Sequence, residues 1–269
     1  MKRSTSLIFG AAILLLLLGA ILLAFVWTPY DPEAIDSTAT FRGPSLRHLM
    51  GTDQLGRDIL SILLFGGRST LGAAIIASIL AVLLGGTVGV VTALAKPFLR
   101  DSLTSAVTVV LALPALLLAL VFAAARGPST TTAMFAIGLA TSASVALVTQ
   151  SEVAQIWRSP FVLAARLSGG TSWAIIRRHV IRNLIPSLVV QTTGAASIAI
   201  VAESTLSYLG LSTPPPTPSW GRMLASTQQY LLVHPIVTLW PALFICLAVL
   251  GCNLLGDGLR ERLSTHSLV

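Results

Sequence analysis

Six stretches of about twenty apolar residues, at 7–27, 70–95, 103–125, 131–150, 186–206 and 236–256, dominate this 269-residue chain. A helix rising 1.5 Å per residue needs roughly that length to cross about 30 Å of hydrocarbon. The runs are continuously apolar rather than alternating, so helices are expected and a lipid-facing barrel is not. Only 10% of residues are charged and the mean hydropathy is +0.85, whereas soluble domains carry about a quarter charged residues. The expected fold is an all-α integral membrane protein with six transmembrane helices.

The net charge of +7 matters through its distribution. With the N-terminus in the cytoplasm, the inside segments carry Lys2, Arg3, Lys96, Arg100, Arg158, Arg166, Arg177, Arg178, Arg182, Arg260 and Arg262. The outside segments then carry Arg42, Arg47, Arg57, Arg68, Arg126 and Arg222, most of them in one long loop where the positive-inside rule is weaker. Both termini inside is therefore the expected topology. The first run is too long for a cleavable signal, and Phe25-Val26-Trp27 stands where small residues are needed. Trp27 and Tyr30 suit an aromatic belt at the outer interface.

The chain divides into residues 1–69 (first span and a polar outside segment), 70–256 (a five-span core) and 257–269 (a cytoplasmic tail). Pro114 and Pro241 are expected to kink the spans that hold them. Small residues at Gly85-Gly86-Thr87-Val88-Gly89 and Gly194-Ala195-Ala196-Ser197 permit close helix contact. Cys246 and Cys252 are about 240° apart on one helix and form neither a disulfide nor a metal pair. No internal repeat supports an inverted-repeat transporter.

A basic island, residues 161–186, interrupts the apolar pattern. Ala164-Ala165-Arg166 opens it on a short helix that Gly169-Gly170 breaks. Thr171 or Ser172 caps a second helix bearing Trp173, Arg177, Arg178 and Arg182, which Asn183 and Pro186 close before the next span. One reading is an amphipathic pair on anionic lipid. The other is a docking surface for a protein, favoured by the Gly-Gly turn, which a surface helix does not need.

The spacing Ala164-Ala165, Gly169, Ile185-Pro186 resembles the coupling loop (about 152–186) of bacterial ABC importer permeases. Leu163 departs from that pattern, since the family usually has Glu there. Gly51-Thr52-Asp53-Gln54-Leu55-Gly56-Arg57-Asp58, Glu203-Ser204-Thr205-Leu206-Ser207-Tyr208-Leu209-Gly210-Leu211 with the Pro-rich 214–221 after it, and Asn253-Leu254-Leu255-Gly256-Asp257-Gly258-Leu259-Arg260 resemble further elements of the dipeptide, oligopeptide and nickel permeases. The order is similar to that of the second, C-type peptide permease. The resemblance implies a type I importer (MetI-like) permease fold with a cytoplasmic coupling-helix pair. It implies a homologous second permease, two cytoplasmic ATPase subunits that bind ATP and Mg, and an extracytoplasmic substrate-binding protein. Ala164, Ala165, Arg166, Gly169, Gly170, Trp173, Arg177 and Arg178 would be the ATPase-coupling residues. The cargo would be short peptides, or alternatively nickel chelate, glutathione or porphyrin.

Read structurally, Thr52 and Asp53 cap a helix over 60–65 along the outer surface. The Pro-rich stretch is a stiff connector holding Trp220 at the interface. Glu203 is the one acid near the interior of a predicted span, about 25 Å along it; either it meets headgroup water or neighbouring amides, or it lines the path or outer gate with Trp220. Asp257 and Arg260 cap and anchor the last helix end. The four histidines are scattered and no Walker-type loop occurs, so neither metal site, nucleic-acid partner, bound cofactor nor catalysis is expected. A self-contained channel or ion-coupled transporter would need intramembrane acids or histidines that five of the six spans lack.

Overall fold

Asp58 caps a 36-residue helix by accepting from the Ser61 N–H at 2.9 Å and the Ser61 hydroxyl at 2.8 Å, meeting donors that a first helical turn leaves free. The computed structural model describes residues 5–214 and 216–266; Lys2, Arg3, Pro215 and residues 267–269 of the expected tail lie outside them. Helices run α1 (Thr5–Leu23), α2 (Ile59–Leu94), α3 (Pro97–Ala112), α4 (Ala115–Arg126), α5 (Thr130–Trp157), α6 (Pro160–Leu167), α7 (Ser172–Ile175), a π-turn (Ile176–Val180), α8 (Ile181–Tyr208), α9 (Trp220–Thr227) and α10 (Pro235–His266). There is no strand among the described residues, only an isolated bridge between Thr52 and Asp58.

Five stretches are long and apolar enough to span a membrane: α1, α2, α5, the joined Ser172–Tyr208 and Pro235–Leu263. The third expected span is not a kinked single helix. Pro114 separates α3 from α4, and the two meet at 88°. Proline lacks the N–H that would continue α3.

Three other expectations change. Residues 60–65 are not a surface helix but the first turns of α2, which runs unbroken across the division expected at residue 69. The second island helix is not closed by Asn183 and Pro186; it continues through the π-turn into α8, with Pro186 inside. The segment after residue 256 is not a free tail as far as it is described, because α10 continues to His266.

α2 and α5 form the most extensive helix pair. A Cβ at Gly89 would lie 2.6 Å from the Ala146 carbonyl and 2.6 Å from Thr149 Cβ, so only glycine lets the backbones approach this closely. Gly194, by contrast, faces open space. α8 packs on α2 and α10, and α1 covers α10. Leu15 and Leu16 of α1 are 70% and 72% exposed, as a lipid-facing side requires.

The core has two parts. At the end bearing the loops 28–58 and 209–219 (the loop end), Trp220, Leu63, Ile59, Ile137 and Leu206 are buried together. At the opposite, island end, Val153, Val180 and Leu184 pack with Val90, Leu94 and Trp157.

Candidate functional site

The island folds around one turn. Helix α6 ends in a Schellman motif: the Gly170 N–H donates to the Ala165 carbonyl and the Gly169 N–H to the Arg166 carbonyl, both at 3.0 Å. Gly169 has φ +81°, the left-handed conformation that disfavours a Cβ. A Cβ on Gly170 would come within 2.8 Å of the Ala165 carbonyl. Thr171 then caps α7 by accepting from the Ala174 N–H at 3.3 Å. Both glycines are thus fixed by backbone geometry, and α6 and α7 meet at a set angle.

The pair is held to the bundle from beneath. Val162 and Val180 are fully buried and Ile175 nearly so, each such side chain contributing about 1.5–3 kcal/mol on burial. The Arg166 guanidinium stacks over the ring of Trp157, the last residue of α5. The outward face carries Leu163, Leu167 and Trp173, all more than half exposed, beside exposed Arg166, Arg177 and Arg178. Trp173, Ala174, Arg177, Arg178 and Arg182 line a shallow recess. No carboxylate pairs with these arginines among the described residues. Ala164 is exposed and Ala165 half-buried. All eight sequence-predicted coupling residues therefore sit on one small module, which presents apolar knobs and unneutralised positive charge.

Glu203 and Trp220 come together at the loop end, but neither faces water. Both are 0% exposed. Glu203 Oε1 accepts from the Ser212 and Thr213 hydroxyls at 3.3 and 3.5 Å, and Thr213 also meets Ser69 at 3.0 Å. Trp220 is not an interfacial anchor: its ring N–H donates to the Leu63 carbonyl at 2.9 Å and its backbone N–H to Thr70 Oγ1 at 3.2 Å. Ser207 and Ser219 hydroxyls also pair, and Arg222 donates to the Thr213 carbonyl at 3.2 Å. The loop 209–219 is thereby stitched to α2 and α8.

Thr52 and Asp53 do not cap a helix; Asp58 does. Asp53 instead organises its own turn, accepting from the Leu55 and Arg57 N–H groups at 2.8 and 2.9 Å and pairing with the Arg57 guanidinium at 2.7 Å. The loop is tied to α10 by the Trp240 ring N–H, which donates to the Met50 carbonyl at 3.1 Å. Nearby, Phe41 stacks on His234 with ring centres 4.2 Å apart. In the same loop, the carboxyl of Asp36 is held below its ordinary range by the Thr38 hydroxyl and N–H.

Sequence reasoning missed one acid. Glu152 lies inside α5 and accepts from the Ser187 hydroxyl at 2.6 Å. It lines a recess of mixed polar and apolar side chains at the island end with Gln191, Asn183 and Arg260. The fourth apolar run ends at residue 150, so hydropathy hid the last two turns of α5. A helix-period reading to Trp157 would have included it. No group of three or more potential metal ligands occurs among the described residues.

A family model described as binding-protein-dependent transport system inner membrane component matches residues 85–266. A putative peptide transport system permease protein of Brucella suis biovar 1 is 34% identical over 262 residues, covering 97% of this chain and 88% of that protein. The nickel transport system permease protein NikC of Escherichia coli K12 is 33% identical over 240 residues, covering 89% and 87%. Among solved structures, the inward-facing MetNI methionine ABC transporter matches with TM-score 0.54 at 15% identity, over 74% of this chain and 96% of that one. At that identity the likeness concerns the fold.

Proposed function

The chain belongs to the family of binding-protein-dependent transport system inner membrane components, and from that premise we propose that it carries short peptides inward, driven by ATP hydrolysed on partner subunits. It is a permease of an importer; the cargo, the drive and the partners are our reading. Residues 160–182 face the cytoplasm and dock on an ATPase subunit, with both chain termini on that side. A homologous second permease completes the route, and an external binding protein delivers cargo to the opposite face. Residues 1–69, 70–256 and 257–269 remain useful units of function: entry span and outer cap, translocating core, and inner end.

The observation that carries this reading is the island's combination of rigid attachment and an exposed, cationic, partly apolar face. Closure of an ATPase pair on ATP displaces α6 and α7. Because α7 continues into α8, the displacement is delivered directly to a helix of the core. The ATPases supply the differential affinity that any shift between inward- and outward-open states requires. Glu203 and Trp220 serve at the outer gate by stiffening the 209–219 loop. Leu163 replaces a polar contact of the usual coupling loop with an apolar one.

A nickel chelate is the second reading, supported by a nickel permease as similar as the peptide one. The deciding experiment is purification of the complex through a tag on this chain. ATPase subunits should co-purify, and labelled dipeptide should enter proteoliposomes containing the binding protein. Release of the ATPases by the double change Arg177→Glu and Arg178→Glu is also expected. Uptake of nickel but not dipeptide would transfer the assignment to the second reading. Absence of ATPases from the purified chain would refute the coupling assignment.

A further inference from the structure

The α3–α4 break leaves main-chain groups without partners at membrane depth. A continuous helix would pair the carbonyls of Leu111 and Ala112 with the N–H groups of Ala115 and Leu116, and that of Leu113 with the Leu117 N–H. Here Leu117 donates to Pro114 instead, and the first two pairs are not made. Three carbonyls and two N–H groups thus have no hydrogen bond among the described residues. The depth is bracketed by two levels on α5. Thr104 of α3 is bonded to Gln150 of α5 at 3.1 Å, and Leu116 of α4 shares a groove with Ile137 of α5. Those two levels are about 20 Å apart on α5, within the helix's membrane-crossing length.

Among the described residues, nothing covers the break. Residues 111–114 are exposed, and α3 has no buried residue along its whole length. Non-helical backbone at membrane depth is tolerated where protein buries it or where it borders a water-filled cavity, and not against lipid tails. A neighbouring apolar helix would exclude water yet offer no donors or acceptors, since its own backbone is already paired. We propose that the α3–α4 break borders the aqueous substrate route, with Ala115, Ile198, Val201 and Thr205 of the adjoining groove as its wall. Exposed carbonyls and N–H groups complement the amides of a peptide without reading its side chains. This rests on the importer reading above and says which face of the chain that route follows.

The test uses the assembled transporter in membrane vesicles, with Cys246 and Cys252 replaced by serine. Leu113→Cys and, as the milder variant, Ala112→Cys are each treated with a charged, membrane-impermeant methanethiosulfonate supplied on both faces. Leu16→Cys on α1 is the lipid-facing reference. Because the reacting thiolate forms in water and not in hydrocarbon, both break positions should react at least about tenfold faster than the reference. Rates equal to the reference in a complex that still imports cargo would overturn the proposal. So would shielding accompanied by cross-linking of Leu113→Cys to the second permease, which would make the break a subunit seam. Failure of the wider reading registers separately, as loss of ATPase co-purification from the cysteine-free chain.

Discussion

The guanidinium of Arg166 lies 4.1 Å above the ring centre of Trp157, so the first island helix is clamped to the end of α5 by a contact that needs both partners. A cation over an indole face is worth about 0.5–2 kcal/mol. Arg166→Ala should loosen α6 and lower ATP-coupled uptake while leaving insertion unchanged. Arg166→Lys, which keeps the charge over the ring, should recover most of it. Uptake and ATP hydrolysis measured on the same vesicles would show the two falling together. Equal loss in both variants would contradict a stacking role.

The Schellman turn makes a sharper demand. A β-branched residue at Gly169 would meet the left-handed conformation at a cost of about 1–2 kcal/mol. That is enough to shift a two-state population by roughly five- to thirtyfold. Gly169→Val should therefore abolish most transport and ATPase co-purification without reducing the amount of chain in the membrane. Gly170→Ala should do likewise, for the different reason that Ala165's carbonyl occupies the space. Normal uptake by Gly169→Val would remove the turn from the coupling mechanism.

Enclosure of Glu203 gives an expectation opposite to that for a path residue. Glu203→Gln keeps an acceptor for Ser212 and Thr213, and transport KM for the cargo should be unchanged. Glu203→Ala leaves the buried Ser212 hydroxyl without its acceptor, at about 1–3 kcal/mol, while Thr213 keeps its bond to Ser69. It should lower the thermal midpoint of the purified subunit. A changed KM in the Gln variant would put cargo in contact with this carboxyl after all.

At the α2–α5 crossing, Gly89→Val should be among the most damaging substitutions in the bundle. Overpacking of a close contact costs about 1–3 kcal/mol even where neighbours yield, and here the nearest neighbour is backbone. Reduced yield of monodisperse protein in detergent is expected, with Gly194→Val as a tolerated control because Gly194 faces open space. Comparable yields for the two variants would show that the close contact is not formed.

Much of this architecture was legible because hydrocarbon imposes one length and one secondary structure on anything that crosses it. The island was equally legible, since glycine pairs and arginines in an apolar chain have few structural explanations. Hydropathy failed where two different helices share one apolar run: nothing in 103–125 but Pro114 signals an 88° bend. It failed again where a span outlasts its apolar stretch, at Glu152 and before residue 70. Trp220 was misassigned because an aromatic after a Pro-rich segment suits an interface. Its actual setting depends on Leu63 and Thr70, some 150 residues away in sequence.

The unbroken passage from α7 through the π-turn into α8 has a mechanical consequence. Residues 172–208 form a strut about 55 Å long, packed at both ends: Ile175, Val180 and Leu184 are buried at the island end, and Glu203, Leu206 and Ser207 at the loop end. Its middle, 185–194, has no buried residue. A displacement of the island end therefore reaches the neighbours of Glu203 along one continuous helix, with no intervening loop to absorb it.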